Sequence, residues 1–187
     1  MVEKKKGLWR VGNDEAKYAN RAIKSGLRGE FTKEFEEKFA RKFKNKYAIA
    51  CNSGTSALHA AMYALGIRSG DEVIVPSLTF IATSFAPLYV GARPIFVDVD
   101  PETWLICPKD VERKITKNTK AIITVSLFGA SPDYDELNKI KKKYNLKILE
   151  DNAQSVMGTY KNKLIGTIGD MSIFSLQRSK HLTAGDG

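Results

Sequence analysis

Hydrophobic positions fall into two textures along the 187 residues. Up to about residue 45 they recur at helical spacing. Residues 13–25 and 31–44 read as helices, separated by the breakers Gly26 and Gly29. In the second, Phe31, Phe35, Phe39 and Phe43 recur every four residues, which places four rings on one helix face. Such a stripe serves either as core packing or as a partner-binding face, and packing is the reading adopted here. From residue 46 short apolar runs alternate with helical patterns. Strands are expected at 47–51, 72–75, 94–99, 121–125, 146–150 and 171–175. Helices are expected at 56–65, 80–90, 109–115 and 134–144, with Pro87 ending or kinking the second of these. Repeated short apolar strands separated by helices predict an α/β domain, a mostly parallel sheet with helices on both faces. The expected organisation is a helical arm over residues 1–45 and one sheet domain over 46–187.

Composition narrows the class. A 43% hydrophobic content is enough for a real core and argues against disorder. The longest apolar runs have strand length, so no segment is expected to span a bilayer. Met1–Lys6 is basic but no apolar run follows it, unlike a secretory signal. Cys51 and Cys107 lack the paired spacing of metal ligands, so no metal site is expected. They read as buried thiols of a reducing cytoplasm. The net charge is +9, and residues 1–46 hold 14 Lys/Arg against 7 Asp/Glu, a net +7 that leaves +2 for the rest. A basic arm can face a polyanion. Here its basic residues alternate with acids, the pattern of a solvated helix surface, and this argues against nucleic acid as a partner.

Three segments carry candidate chemistry. Ser53-Gly54-Thr55-Ser56 follows an apolar run and opens a helix. Free first-turn amides and the positive end of the helix dipole attract a phosphate there, Gly54 permits close approach, and Thr55 and Ser56 add hydroxyls. Taken alone, the same tetrapeptide is more often a simple N-cap. No Walker lysine follows it, which excludes a P-loop, and no GxGxxG fingerprint is present. Asp151 ends the apolar run 147–149, where the strands of an open parallel sheet present their carboxyl ends to a ligand. A carboxylate there can pair with a protonated pyridine nitrogen, ligate a metal or cap a helix. Lys180 follows the apolar run 171–174 inside a polar stretch ending at Gly185-Asp186-Gly187. It is either a surface charge or an amine poised to form an imine, and a low-dielectric pocket would favour the latter.

Taken together, these segments resemble the DegT-type (DegT/DnrJ/StrS) sugar aminotransferases, fold-type I enzymes dependent on pyridoxal 5′-phosphate. The likeness rests on Asn52–Leu58, Asp71–Pro76 with Thr79-Phe80 and Ala82-Thr83, Glu150–Gln154, Gly166–Asp170, and Phe174–Gly187, in that order and spacing. The resemblance implies that Lys180 is the Schiff-base lysine and proton shuttle. It implies that Asp151 contacts the pyridine nitrogen, Gln154 lies near the ring 3-hydroxyl and Phe80 stacks on the ring. Gly54, Thr55, Ser56 and Ser175 would hold the phosphate.

The family likeness also implies an activity: transfer of an amino group from glutamate or glutamine to a keto-sugar, typically nucleotide-linked, in amino-sugar or polysaccharide biosynthesis. It implies a homodimer, with the rest of the large domain and a small C-terminal domain continuing beyond Gly187, so that the C-terminal part is missing here. A dehydratase branch of the family has histidine in place of the lysine. Here the lysine position is filled and His181 follows it, which favours the aminotransferase. Gln177-x-Ser179-Lys180 resembles the branch acting on keto-inositols and related cyclic ketones, but does not select a substrate. The rival readings are a sugar dehydratase, a split enzyme, and a non-catalytic regulator or nucleic-acid binder.

Overall fold

The computed structural model describes residues 12–26, 29–185 and 187. The Met1–Lys6 tail and Asp186 lie outside the described residues. The chain divides into two compact units, residues 1–50 and 51–187.

In the first unit, α1 (Asn13–Lys24) and α2 (Glu30–Lys42) follow the predicted periods. Each begins after a glycine and carries acids in its first turn and bases in its last, matching the helix dipole. Phe35 and Phe39 meet with centroids 5.4 Å apart, and Phe39 and Phe43 stack at 4.6 Å. Phe43 is buried and Phe31 and Phe39 half-buried, whereas Phe35 stays 38% exposed, so the stripe is only partly packed. Charges on the arm pair with one another, as Lys38 does with Glu34 at 2.6 Å. The predicted strand at 47–51 is not formed. The segment is extended but outside any strand, with Tyr47 and Ile49 largely exposed. Alternating apolar residues supply a strand's side chains, but a ladder also needs a partner strand, and sequence periodicity does not provide one.

The second unit is a five-stranded parallel sheet in the order β2-β1-β3-β4-β7. Its elements are α3 (Gly54–Ala64), β1 (Glu72–Pro76), α4 (Ile81–Tyr89), β2 (Arg93–Val97), α5 (Pro108–Arg113), β3 (Thr119–Val125), α6 (Tyr134–Tyr144), β4 (Lys147–Asp151) and β7 (Met171–Ile173). A two-stranded hairpin, β5 (Thr159–Tyr160) with β6 (Lys163–Leu164), intervenes between β4 and β7. Strand side chains alternate between faces. Val73, Val75, Ile123 and Leu149 pack with Leu58 and Met62 of α3 and with Ala82 and Ala86 of α4. Ile74, Ile122 and Ile148 pack the other way, with Val111 of α5 and Tyr134, Leu137 and Ile140 of α6. Helices on both faces follow because right-handed crossovers running in opposite directions along the sheet must use opposite faces. β2 is an edge strand, which is where Pro94 costs no ladder bond. Pro87 does not stop α4 at its own position. The helix runs on to Tyr89, and the Pro87 carbonyl then accepts from Val90 and Ala92. Among the described residues no helix is long and apolar enough to cross a membrane.

Glu150 organises the loop between the hairpin and β7. It is fully buried on the α6 face of β4. Its Oε2 accepts from the Gly166 amide at 2.6 Å and from the Tyr134 hydroxyl at 3.2 Å, and its Oε1 from the amides of Ile168 (2.7 Å) and Gly169 (2.5 Å). Burial raises the Tyr134 hydroxyl far above its ordinary pKa, with the Glu150 charge adding to it, so the hydroxyl stays a donor. Gly169 is required here, since a Cβ would lie 2.8 Å from the Ile148 carbonyl oxygen. Replacing Glu150 by Gln turns an amide group toward backbone N–H donors. Glu150→Gln should destabilise the protein by about 2–4 kcal/mol, read as a lowered urea midpoint without loss of cooperativity.

Candidate active site

Strand alternation sends Asp151 to the face opposite Glu150, at the carboxyl end of β4, beneath α3 and α4. Asp151 is 4% exposed. Its Oδ2 accepts from the Thr83 hydroxyl at 2.8 Å and its Oδ1 from the Ala153 amide at 3.1 Å. The Thr83 oxygen lies 2.8 Å from the Thr79 hydroxyl, one turn back. Because the Thr83 proton goes to the carboxylate, Thr79 is the donor in that pair. The Asp151 backbone is also held, its carbonyl accepting from the Ser126 amide at 3.1 Å. Ser126 in turn donates its hydroxyl to Asn152 Oδ1 at 2.9 Å. Asn152 is fully buried, and its Nδ2 makes no hydrogen bond. Burial pushes the Asp151 carboxyl above its ordinary pKa. The two donated hydrogen bonds and the Lys180 ammonium pull it back in part.

Ser53 caps α3, its Oγ accepting from the Ser56 amide at 3.1 Å and lying 3.0 Å from Ser56 Oγ. The first-turn amides of Gly54 and Thr55 have no carbonyl a turn behind them to bond, so the helix mouth stays a donor site. Gly54 packs against Ser175: a Cβ on Gly54 would lie 3.0 Å from Ser175 Cβ. That contact brings the end of the β7 segment against the helix mouth. The strand ends at Ile173, two residues short of expectation, and Ser175 is buried in the loop that follows.

That loop doubles back on itself. Gln177 Oε1 accepts from the Ser179 amide (2.8 Å) and hydroxyl (2.6 Å), and the Lys180 amide donates to the Gln177 carbonyl at 2.8 Å. Ala184 N–H returns to the Leu176 carbonyl at 2.8 Å. Lys180 is half-buried and His181 exposed. Phe80 is the N-cap of α4 and presents a ring that is 66% exposed, while Gln154 is half-buried in the turn after β4. Cys51 and Cys107 are free and half-buried rather than buried.

The anticipated residues thus fall at the carboxyl edge of the sheet or in the segments just after it. Asp151 feels the Lys180 charge, and Gly54 touches Ser175. Thr79, Thr83, Ser126 and Asn152 were not singled out from the sequence as site residues. Thr79 and Thr83 entered only within the segments that carry the family likeness, with no role attached to either. Nothing local marks Ser126 and Asn152, whose meeting depends on β3 lying beside β4.

The molecule is an open parallel α/β domain with an acid, a lysine and a helix mouth at the carboxyl edge of its sheet, the edge where such sheets carry their ligand crevice. The chain belongs to the DegT/DnrJ/EryC1/StrS aminotransferase family, whose pattern matches residues 10–187. It is 45% identical over 176 residues to GDP-perosamine synthase of Escherichia coli O157:H7, covering 92% of this chain and 48% of that protein. Among solved structures, the aminotransferase from Psychrobacter cryohalolentis superposes with a TM-score of 0.91 at 38% identity, over 95% of this chain and 46% of that one. The E. coli GDP-4-keto-6-deoxy-D-mannose-3-dehydratase with bound hydrated PLP gives 0.89 at 34% identity, over 94% and 47%. The chain spans about half the length of the curated relatives it matches.

A buried carboxylate whose pKa is raised costs stability once it ionises. Both states are protonated below the unfolded value of about 3.9, and the cost grows as pH rises from there through the folded value. Asp151→Asn should therefore make the ligand-free protein more stable at pH 7, with the gain vanishing below about pH 4. Thermal unfolding at the two pH values checks it, and an equal shift at both would contradict the burial cost.

Proposed function

We propose that the protein is a pyridoxal 5′-phosphate-dependent aminotransferase that moves an amino group from glutamate or glutamine to a nucleotide-linked keto-sugar, for amino-sugar or polysaccharide synthesis. The observation that carries this reading is the meeting, at one sheet edge, of a buried Asp151, the α3 mouth packed on Ser175, and Lys180 acting on Asp151. The donor set suits the cofactor. Amides of Gly54 and Thr55 with the hydroxyls of Thr55, Ser56 and Ser175 fit a phosphate, and the approach of Gly54 to Ser175 leaves no room for a Cβ between them without displacement. When bound, pyridoxal phosphate supplies an aldehyde that takes up amines and a conjugated ring that delocalises an electron pair.

The chain's own groups do the rest. Asp151 would pair with the pyridine nitrogen and hold a proton there, Phe80 would cover the ring, and Gln154 would bond the 3-hydroxyl. Lys180 Nζ takes the α-proton of the amino-acid donor in the first half-reaction, when the keto acid leaves. In the second half it delivers a proton to the carbon that receives nitrogen on the sugar. A keto-sugar dehydratase on the same fold remains the second reading, supported by the likeness to the E. coli 3-dehydratase. An aminated sugar with equimolar keto acid, rather than a deoxy-keto sugar with ammonia, distinguishes the two.

The working form is a homodimer in the cytoplasm. Ile81, Phe85 and Leu88 recur along the outer face of α4 at 55%, 42% and 52% exposure, and Tyr63 of α3 is 64% exposed. Apolar residues at helical spacing on a surface fit a second copy of the chain.

In the full-length protein, Lys180→Ala should abolish borohydride trapping of the cofactor and lower transamination by about a thousandfold or more. Retained trapping and activity would overturn the assignment.

A further inference from the structure

We propose that Thr83, backed by Thr79, is a positioning residue of this site: its hydroxyl holds the Asp151 carboxylate in one orientation and keeps its negative charge turned toward the ligand. The inference rests on the reading of Asp151 given above. It concerns residues to which no role has been assigned so far.

The geometry is specific. Thr83 is fully buried and Asp151 nearly so, and their oxygens are 2.8 Å apart. Thr83 lies in α4, one of the two helices that cover this face of the sheet, so the bond ties a helix to the strand end that carries the acid. A buried hydroxyl on an apolar helix face (Ala82, Thr83, Ser84, Ala86 and Pro87 are the buried residues of α4) is costly unless bonded. Thr83 could have bonded its own helix carbonyl, as threonines in helices do. Instead its proton goes across to Asp151, and Thr79 supplies a proton to the Thr83 oxygen. The two hydroxyls form a directed chain ending on the carboxylate, and each bond polarises the next.

Asp151 has few other holds. Its second side-chain donor is the Ala153 amide, two residues along its own chain. Among the described residues the charged group acting on it is the Lys180 ammonium, which lowers its proton affinity, as the Thr83 bond does. The neighbouring elements present Thr83 from α4, the backbone of Val125 from β3 and of Ser126 just after it, and Ile173 from β7, none of them charged. Without the Thr83 hydroxyl, burial acts on the carboxylate with less opposition, so it binds its proton more firmly and presents less charge to the pyridine nitrogen. With pyridoxal phosphate bound, the weaker charge on Asp151 would leave the cofactor less electron-withdrawing, and its visible band would titrate at higher pH.

The test uses the full-length holoenzyme, with the pH titration of its visible cofactor band as the readout. Thr83→Val keeps the shape and removes the hydroxyl. It should move the midpoint upward by about one pH unit and lower kcat about tenfold with KM for the keto-sugar little changed. Thr83→Ser keeps the hydroxyl and should titrate within about 0.3 unit of wild type. Thr79→Val removes only the outer donor and should shift the midpoint in the same direction by less. A Thr83→Val holoenzyme whose midpoint matches wild type overturns the proposal. If Thr83→Val fails to fold, an unmoved midpoint in Thr79→Val overturns it instead. A wild-type protein with no titrating cofactor band would remove the reading of the whole site, and this proposal with it. By contrast, a normal wild-type band with unmoved variants removes only the role of Thr83.

Discussion

Two adjacent acids at the end of β4 carry the architecture, and strand alternation separates them. Glu150 turns to the α6 side, where three backbone amides and the Tyr134 hydroxyl converge on it. Asp151 turns to the α3 and α4 side, where one threonine and one local amide meet it. The four donors around Glu150 fix the path of residues 166–169 and so the start of β7. The end of β7 brings Ser175 to the mouth of α3, and the loop beyond it carries Lys180. The position of the lysine relative to Asp151 therefore depends on a carboxylate on the opposite face of the sheet.

The two acids also show how the same side chain is used for opposite ends. A buried carboxylate with enough donors supports structure, because removing water from it is repaid by fixed hydrogen bonds. Asp151 has fewer, and burial pushes its proton affinity up. A group in that condition is destabilising in the empty protein and gains most from a cationic partner arriving from outside. This is the expected condition of a residue whose partner is a ligand.

The sheet was legible because its strands are buried on both faces. Ile122, Ile123, Ile148 and Leu149 admit no polar residue, and such runs stand out between helical patterns. The segment 47–51 carried a similar pattern and misled, since exposure of Tyr47 and Ile49 depends on whether a partner strand is present. The hairpin at 159–164 was missed because its strands are two residues each, too short for alternation to register. The places of Asp151 at a strand end and of Lys180 in a polar loop after a strand were legible in the sequence. Thr83 was not, because its role is a bond to a residue 68 positions away, and a threonine amid alanines in a helix reads locally as filler.

The part played by α4 follows from this long-range bond. Its N-cap is Phe80, its first turn supplies Thr83 to Asp151 with Thr79 just before the cap behind it, and its outer face carries Ile81, Phe85 and Leu88 toward solvent. One short helix thus contacts the acid with its buried side and offers an apolar surface with the other. If a second copy of the chain covers that surface, its binding bears on the same rigid element that orients Asp151, with three helical turns between them at most. Assembly and the electrostatics of the site would then be linked through α4 itself, without any relay through the sheet.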